Sequence, residues 1–187
     1  MSAFDPVRSF RKLAYNNALA NVRLHRACTA LRPGEFEAER VSFFPSIKAT
    51  LNHILTVDWF YVDALEGGAL GLKAFDIEEP YDRLDELRLE QADVDRRLVA
   101  FCEALTPETA MRIIVIQREG RIQRERADDV LNHLFQHQTH HRGQVHAMLA
   151  GTSVAPPQLD EFIVSDDARF RGEESAVLGW DETKLMR

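Results

Sequence analysis

Leu131-Asn132-His133-Leu134-Phe135-Gln136-His137-Gln138-Thr139-His140-His141-Arg142-Gly143-Gln144-Val145-His146 carries five of the chain's seven histidines. The stretch has no proline and one glycine, and Leu131, Leu134, Phe135, Val145, Met148 and Leu149 recur at helical spacing, which predicts a helix with one mixed face. On that helix His133, His137 and His141 fall on one stripe, each a turn from the next, while His140 and His146 point elsewhere. Two imidazoles at i and i+4 can reach one metal ion, so His137 and His141 form half of a metal site. The bland alternative is a set of solvated or core-satisfied histidines. A zinc protease would need a glutamate after the first histidine as general base, and Gln138 cannot take a proton, so that reading fails.

Outward from this helix the chain is built of similar units. Toward the N-terminus, Asp5-Pro6 starts a first helix with apolar residues from Val7 to Cys28, which Pro33-Gly34 ends. Asn17 and Asn21 lie at the edge of its stripe, as boundary residues or facing a polar centre. Ser42-Phe43-Phe44-Pro45 opens a second helix that Gly67-Gly68 stops, with His53 inside its apolar pattern. After a connection over residues 69–80, Asp82 is expected to cap a third helix running to Leu105. That helix has no histidine, and its run of Asp, Glu and Arg reads as solvated surface. Thr106-Pro107 breaks the pattern. Two β-branched runs around Arg118-Glu119-Gly120 predict a short hairpin that must lie against the helices, because an isolated hairpin is marginal. Asp128 is expected to cap the histidine helix, the fourth, which ends near Gly151. The expected organisation is an all-α four-helix bundle over residues 1–165, with the hairpin before the last helix. Residues 166–187 form a loosely attached tail, pinned if at all by Leu178 and Trp180.

Composition narrows the function. Lys and Arg number 23 against 30 for Asp and Glu, a formal net charge of -7 that disfavours nucleic acid as a partner. Arg118, Arg121, Arg124 and Arg126 are read as solvated positions of the hairpin. Cys28 and Cys102 are far apart with no metal or redox spacing, and read as small buried hydrophobes. The N-terminal residues lack a signal-like apolar core and no apolar run suits a membrane span, so a cytoplasmic protein without membrane contact is expected. Bundles build metal sites from inward side chains on facing helices. Adding His53 to His137 and His141 would give three neutral nitrogen donors with open positions left, the composition of a catalytic rather than a closed structural site. All-imidazole ligation suits zinc, nickel, copper or iron.

Tyr15-Asn16-Asn17-Ala18-Leu19-Ala20-Asn21, Leu51-Asn52-His53-Ile54-Leu55, the H-x3-H-H-R-G-Q run from His137 to Gln144, and Pro156-Pro157-Gln158-Leu159-Asp160 together resemble the DinB-like (damage-inducible, YfiT-like) family over about residues 4–165. The resemblance implies an up-down-down-up four-helix bundle and a homodimer through the first and fourth helices. It also implies a divalent metal, zinc or nickel ahead of iron or manganese, held by His53, His137 and His141. His133 has no ligand counterpart and is expected either to support a ligand from behind or to lie on the substrate side. Some relatives are similar to thiol-dependent transferases and others to metal-dependent hydrolases, so a small-molecule substrate is implied, with a low-molecular-weight thiol as cosubstrate in the first case. A non-catalytic stress-linked metal-binding protein or dimeric scaffold is the alternative. His140, His133 and Asp58 are the groups considered for moving protons, Arg142 is expected to pair on the surface, and Gln144 to order a neighbouring histidine.

Overall fold

The structure, a computed structural model, describes residues 4–187; the first residues of the unit expected over 1–165 lie outside it. Helix α1 spans Arg8–Cys28, α2 Ile47–Glu66, α3 Leu84–Glu103 and the single-turn α4 Pro107–Ala110. Strands β1 (Ile113–Arg118) and β2 (Arg121–Arg126) follow, then the histidine helix α5 (Ala127–Leu149), α6 (Gly172–Leu178) and α7 (Glu182–Leu185).

Side-chain pairings give the direction of each long helix. Tyr15 donates to Glu103 at 2.7 Å and Asn21 to Asp95 at 2.9 Å, so α1 and α3 run antiparallel. Gln91 donates to Asp58 at 2.8 Å and Arg97 to Glu66 at 2.6 Å, so α2 and α3 run parallel. His53 and His137 meet at 3.0 Å while Tyr61 lies against His133 at 5.1 Å, so α2 and α5 are antiparallel. The order is up, down, down, up. Two consecutive parallel helices require a connection that returns the ~30 Å length of a 20-residue helix, which explains the long segment 67–83.

Where the apolar stripe and a cap agree, the expected boundaries hold. Ser46 Oγ accepts from Ala49 N–H at 3.0 Å to start α2, and Gly67 ends it at φ 85°, a left-handed conformation that suits glycine. Where they disagree, packing sets the start. Asp82 does not cap α3; it pairs with Lys48 at 3.0 Å, and Arg83 occupies the cap position. Asp128 sits inside the first turn of α5, paired with Arg126 at 2.6 Å. Ala127 N–H already donates to Arg112 O at 2.9 Å, so β2 feeds the helix with no capping residue between them. Helix α1 stops at Cys28, before Pro33, because its buried stripe ends there. The hairpin pairs Ile113 with Arg126 through Arg118 with Arg121 and turns at Gly120, φ 63°. Ile114 and Ile116 are buried against the bundle while Ile113 and Val115 face out, as the period of two requires.

Residues 166–187 are not a loosely attached tail. Arg23 on α1 holds Glu174 at 2.9 Å and Glu161 at 2.7 Å, and the buried Arg171 holds Glu182 at 2.6 Å. Buried Lys12 donates to Leu185 O at 2.8 Å, and Trp180 stands edge-on to Tyr15 with ring centroids 5.3 Å apart. The segment was misread because its anchors to α1 are charged residues, Arg23 and Lys12, whose partners lie more than a hundred positions away, which local composition does not reveal. It covers the outer side of α1, so that helix is not open along its length to a second copy. Among the described residues no helix is long and apolar enough to cross a membrane.

Candidate metal centre

The i, i+4 spacing on α5 brings the rings of His137 and His141 to 4.3 Å between centroids. His53 reaches them from antiparallel α2, its centroid 4.6 Å from that of His141. One ring nitrogen from each of the three lies within 4.8 Å of the others. Two nitrogen ligands at ~2.0–2.1 Å from one ion lie about 2.8–3.4 Å apart at right or tetrahedral angles, so the trio needs only small side-chain adjustments.

The protein leaves these imidazoles without protonic partners. His53 Nε2 faces His137 Nε2 at 3.0 Å, and two neutral lone pairs at that distance repel unless a proton or a cation lies between them. Burial lowers the pKa of His137 to about 3 and of His53 to about 4, with the neighbouring histidines adding repulsion, and His141 is lowered for the same first cause. All three are therefore neutral at neutral pH with lone pairs to give, the state a metal ligand needs. His137 Nδ1 is buried with no partner among the described residues. His141 Nδ1 lies 2.7 Å from Gln144 Oε1, which assigns the proton to Nδ1 and directs Nε2 into the site. Gln144 Nε2 in turn lies 3.2 Å from exposed His140, so Gln144 orders its neighbours as expected. The donor set thus fits a divalent cation.

Phe44 is a site residue that the sequence did not single out. Its ring stacks on His53 at 4.1 Å and meets the edge of His141 at 5.5 Å, forming an apolar wall. A cavity of about 390 Å³ lined by Arg40, Val41, Ser42, Gln144 and Met148 lies beside Gln144, the partner of His141, and none of the three histidines lines it. On the other side exposed His133 lies 6.4 Å from His137 and packs on Tyr61, whose hydroxyl accepts from Arg118 at 3.0 Å.

Two expected roles are overturned. Asp58 is not at the histidine trio; it is buried between Gln91, 2.8 Å, and Gln138, 2.9 Å. Arg142 is not on the surface; it is 5% exposed and donates to Asn17 and Asn21. Those two asparagines donate in turn to Asp95 at 2.9 Å, linking guanidinium to carboxylate, so they face a polar centre after all. Nor is α3 only a solvated face, since Asp95 and Gln91 are buried. Burial pushes Asp58 up to about 8, with the Asp95 charge adding to it, and burial pushes Asp95 up to about 6. Burial lowers Arg142 to about 10, which leaves it charged at neutral pH. The cluster is then electroneutral near pH 7: Arg142 positive, Asp95 negative, Asp58 protonated. The Oε1 atoms of Gln91 and Gln138 are buried without donors, and with one amide turned over the Asp58 proton has an acceptor. A sequence signal for this cluster existed. Asn17 and Asn21, Gln91 and Asp95, and Gln138 and Arg142 are each polar pairs at i, i+4, one pair per helix.

The chain is similar to known proteins of one family. The model of the DinB family matches residues 4–174. Protein DinB of Bacillus subtilis is 26% identical over 153 residues, covering 78% of this chain and 88% of that protein. A DinB-like protein of Bacillus cereus superposes with TM-score 0.55 at 18% identity, covering 77% of this chain and 91% of the other. A second DinB-like structure, from Bacillus subtilis, gives TM-score 0.53 at 15% identity, with coverage of 74% and 90%. These two likenesses speak to the fold.

Proposed function

The chain belongs to the DinB family, and from that premise we propose that it binds one divalent metal ion through His53, His137 and His141 and works as a metal-dependent enzyme on a small molecule, by thiol-dependent transfer or by hydrolysis. The observation that supports this is the pair of facing Nε2 atoms at 3.0 Å in a trio of neutral, acid-free imidazoles. An ion held there supplies Lewis acidity, which lowers the pKa of a water or a thiol. Zinc and nickel suit three imidazoles best, ahead of iron and manganese.

The chain's own residues divide the remaining work. Gln144 holds the His141 ring. Phe44 keeps water from one side of His53, and the substrate approaches from the exposed His133 side of the trio. His133, exposed and one turn from His137, is the group placed to carry protons on the substrate side. Asp58 is locked in the core and has no such part. Because the only side chain hydrogen-bonded to an outer nitrogen of the trio among the described residues is the amide of Gln144, which is neither acid nor base, a second reading is a non-catalytic metal-binding protein. The proposal extends to a homodimer in the cytoplasm, where the buried thiols of Cys28 and Cys102, each pushed up to about 12 by desolvation, stay inert.

The test is elemental analysis of untagged protein beside His53→Ala, followed by assays of thiol transfer and ester hydrolysis. Near one equivalent of metal in the parent and none in the variant supports the site, and turnover that falls in His133→Ala supports the enzyme. Protein that stays metal-free after incubation with Zn²⁺, Ni²⁺, Mn²⁺ or Fe²⁺ overturns the site. Stoichiometric metal with no turnover on either substrate class leaves the binding reading in place of the enzyme. Sedimentation velocity decides the dimer.

A further inference from the structure

A second cavity, of about 540 Å³, lies between α1, α3 and the end of α6 with Trp180 just beyond it, on helix faces that the histidine trio does not use. Leu89, Ala92, Leu178 and Trp180 give it an apolar wall. Its floor, Asn21, Gln91 and Asp95, is already engaged in the buried polar cluster. Because α1 and α3 are antiparallel, His25 and Arg88 share one end of the cavity, while Trp180, which packs on Tyr15, lies toward the other.

Two features of the first end lack an explanation in the fold. His25 is 2% exposed and lines the cavity; its ring nitrogens bond no protein atom among the described residues and are open to the cavity rather than sealed in the core. Polar atoms open to a cavity as a rule meet a water or a ligand. Three guanidinium groups also surround the space. Arg26 is matched by Glu173 at 2.5 Å and Glu174 at 2.7 Å, and Arg96 by Asp93. Arg88 has no acidic partner within ion-pair distance among the described residues, and it stands exposed beside the cavity. Burial and the charges of Arg88 and Arg142 depress the His25 pKa to about 4, so the ring is neutral and can donate one hydrogen bond to an acceptor. The groups left over are therefore a free cation and a neutral donor at one end, and an apolar wall ending in an indole at the other.

We propose that this cavity binds a small amphipathic carboxylate, its carboxylate held by Arg88 and His25 and its apolar body lying along Leu89, Ala92 and Leu178 toward Trp180. Such a ligand places an anion where the cavity has unmatched positive charge and buries its chain where the wall is apolar, the usual division of a small-molecule site. An acid without an apolar body would gain only an exposed ion pair, which is worth little. The inference does not depend on the metal site.

The chain has two tryptophans, so Trp59→Phe leaves Trp180 as the reporter. Decanoate is titrated into this variant while Trp180 emission is followed, with decanol as the uncharged control. Saturable binding of decanoate is expected. A charge-assisted contact of the usual strength predicts that Arg88→Gln weakens decanoate at least ~10-fold and leaves decanol within about 2-fold. Arg88→Lys should recover most of the loss. Ala92→Trp, at an exposed position that folding tolerates, should close the cavity and abolish the response. The proposal is overturned if decanoate gives no saturable change, if Arg88→Gln leaves its affinity unaltered, or if the response survives in Ala92→Trp. It is also overturned if sedimentation shows that a second copy occupies this face and decanoate does not release it.

Discussion

Two polar clusters lie on α5 of the same bundle, only one residue apart in sequence, and the protein treats them in opposite ways. Gln138 and Arg142 turn into the core, where Asn17, Asn21, Asp58, Gln91 and Asp95 give nearly every polar atom a partner. His137 and His141 turn toward α2, where the one hydrogen-bonding atom that meets them among the described residues is Nε2 of His53, 3.0 Å from His137 Nε2. A cluster satisfied from within holds the fold. A cluster left unsatisfied is free to bind a ligand from outside. The first also serves the second, because fixing Gln138 and Arg142 fixes the rotation of α5 about its axis and so the direction of the histidines.

The contrast is broken most severely by Arg142→Met. Removing the cation that matches buried Asp95 leaves that charge uncompensated, and losing one partner of a buried ionic group costs ~3–5 kcal/mol. Urea denaturation should show that loss with or without metal. A change within ~1 kcal/mol would mean that the cluster does not hold the fold.

His137→Ala should behave oppositely. The metal-free protein loses one imidazole that repels its neighbours and has a buried, unpartnered Nδ1, so its stability should change little. The stabilisation gained from metal should vanish; for the parent it is ~2.7 kcal/mol at a metal concentration a hundred times Kd. Thermal melts with and without Zn²⁺ separate the two effects. Equal metal-dependent shifts in parent and variant would remove His137 from the ligand set.

A finer test uses pH. The Asp58 carboxyl is raised from its usual value to about 8 in the folded chain, so the folded state holds this proton more tightly than the unfolded state does. Its contribution to stability is complete below about pH 4 and is lost as pH rises toward 8, with a slope no steeper than ~1.4 kcal/mol per pH unit for one proton. Asp58→Asn keeps an acceptor, adds a donor for one of the orphaned glutamine oxygens, and should flatten this dependence. Stability curves of the two proteins from pH 4 to 8 should diverge in the variant's favour at the alkaline end; parallel curves would mean that Asp58 is ionised throughout.

The smallest effect is expected outside both clusters. Asp82→Ala removes an exposed partner of Lys48, and because Asp82 caps no helix the cost should stay below ~0.5 kcal/mol in a denaturation experiment. A cost near 1 kcal/mol would restore the capping role expected from its position.

What could be read from the chain alone was what local periodicity encodes. Apolar spacing located the four long helices and the hairpin. The i, i+4 histidines on one helix, with His53 on another, assembled the trio that the structure brings together. Helix ends were less readable. A capping residue contributes about 1 kcal/mol, and at Asp82 and Asp128 the packing of the apolar stripe outweighed it. Arg142, Asp58 and Asp95 were misread for a related reason. A charged residue on a helix looks solvated until partners from other helices are known, and here those partners lie 33 to 125 positions away.

Sequence and tertiary structure therefore decided different things. Alternation of apolar and polar residues along the chain was enough to specify helices, a hairpin and a stripe of possible ligands, because each of those is a property of neighbouring residues. Only the folded chain decided which polar side chains are buried, that residues 166–187 lock onto α1, that Phe44 walls the histidines, and that a cavity with an unmatched cation opens beside His25. Burying a charge is tolerable only when its partners arrive from distant segments, and that depends on the packing of the whole bundle rather than on any stretch within it.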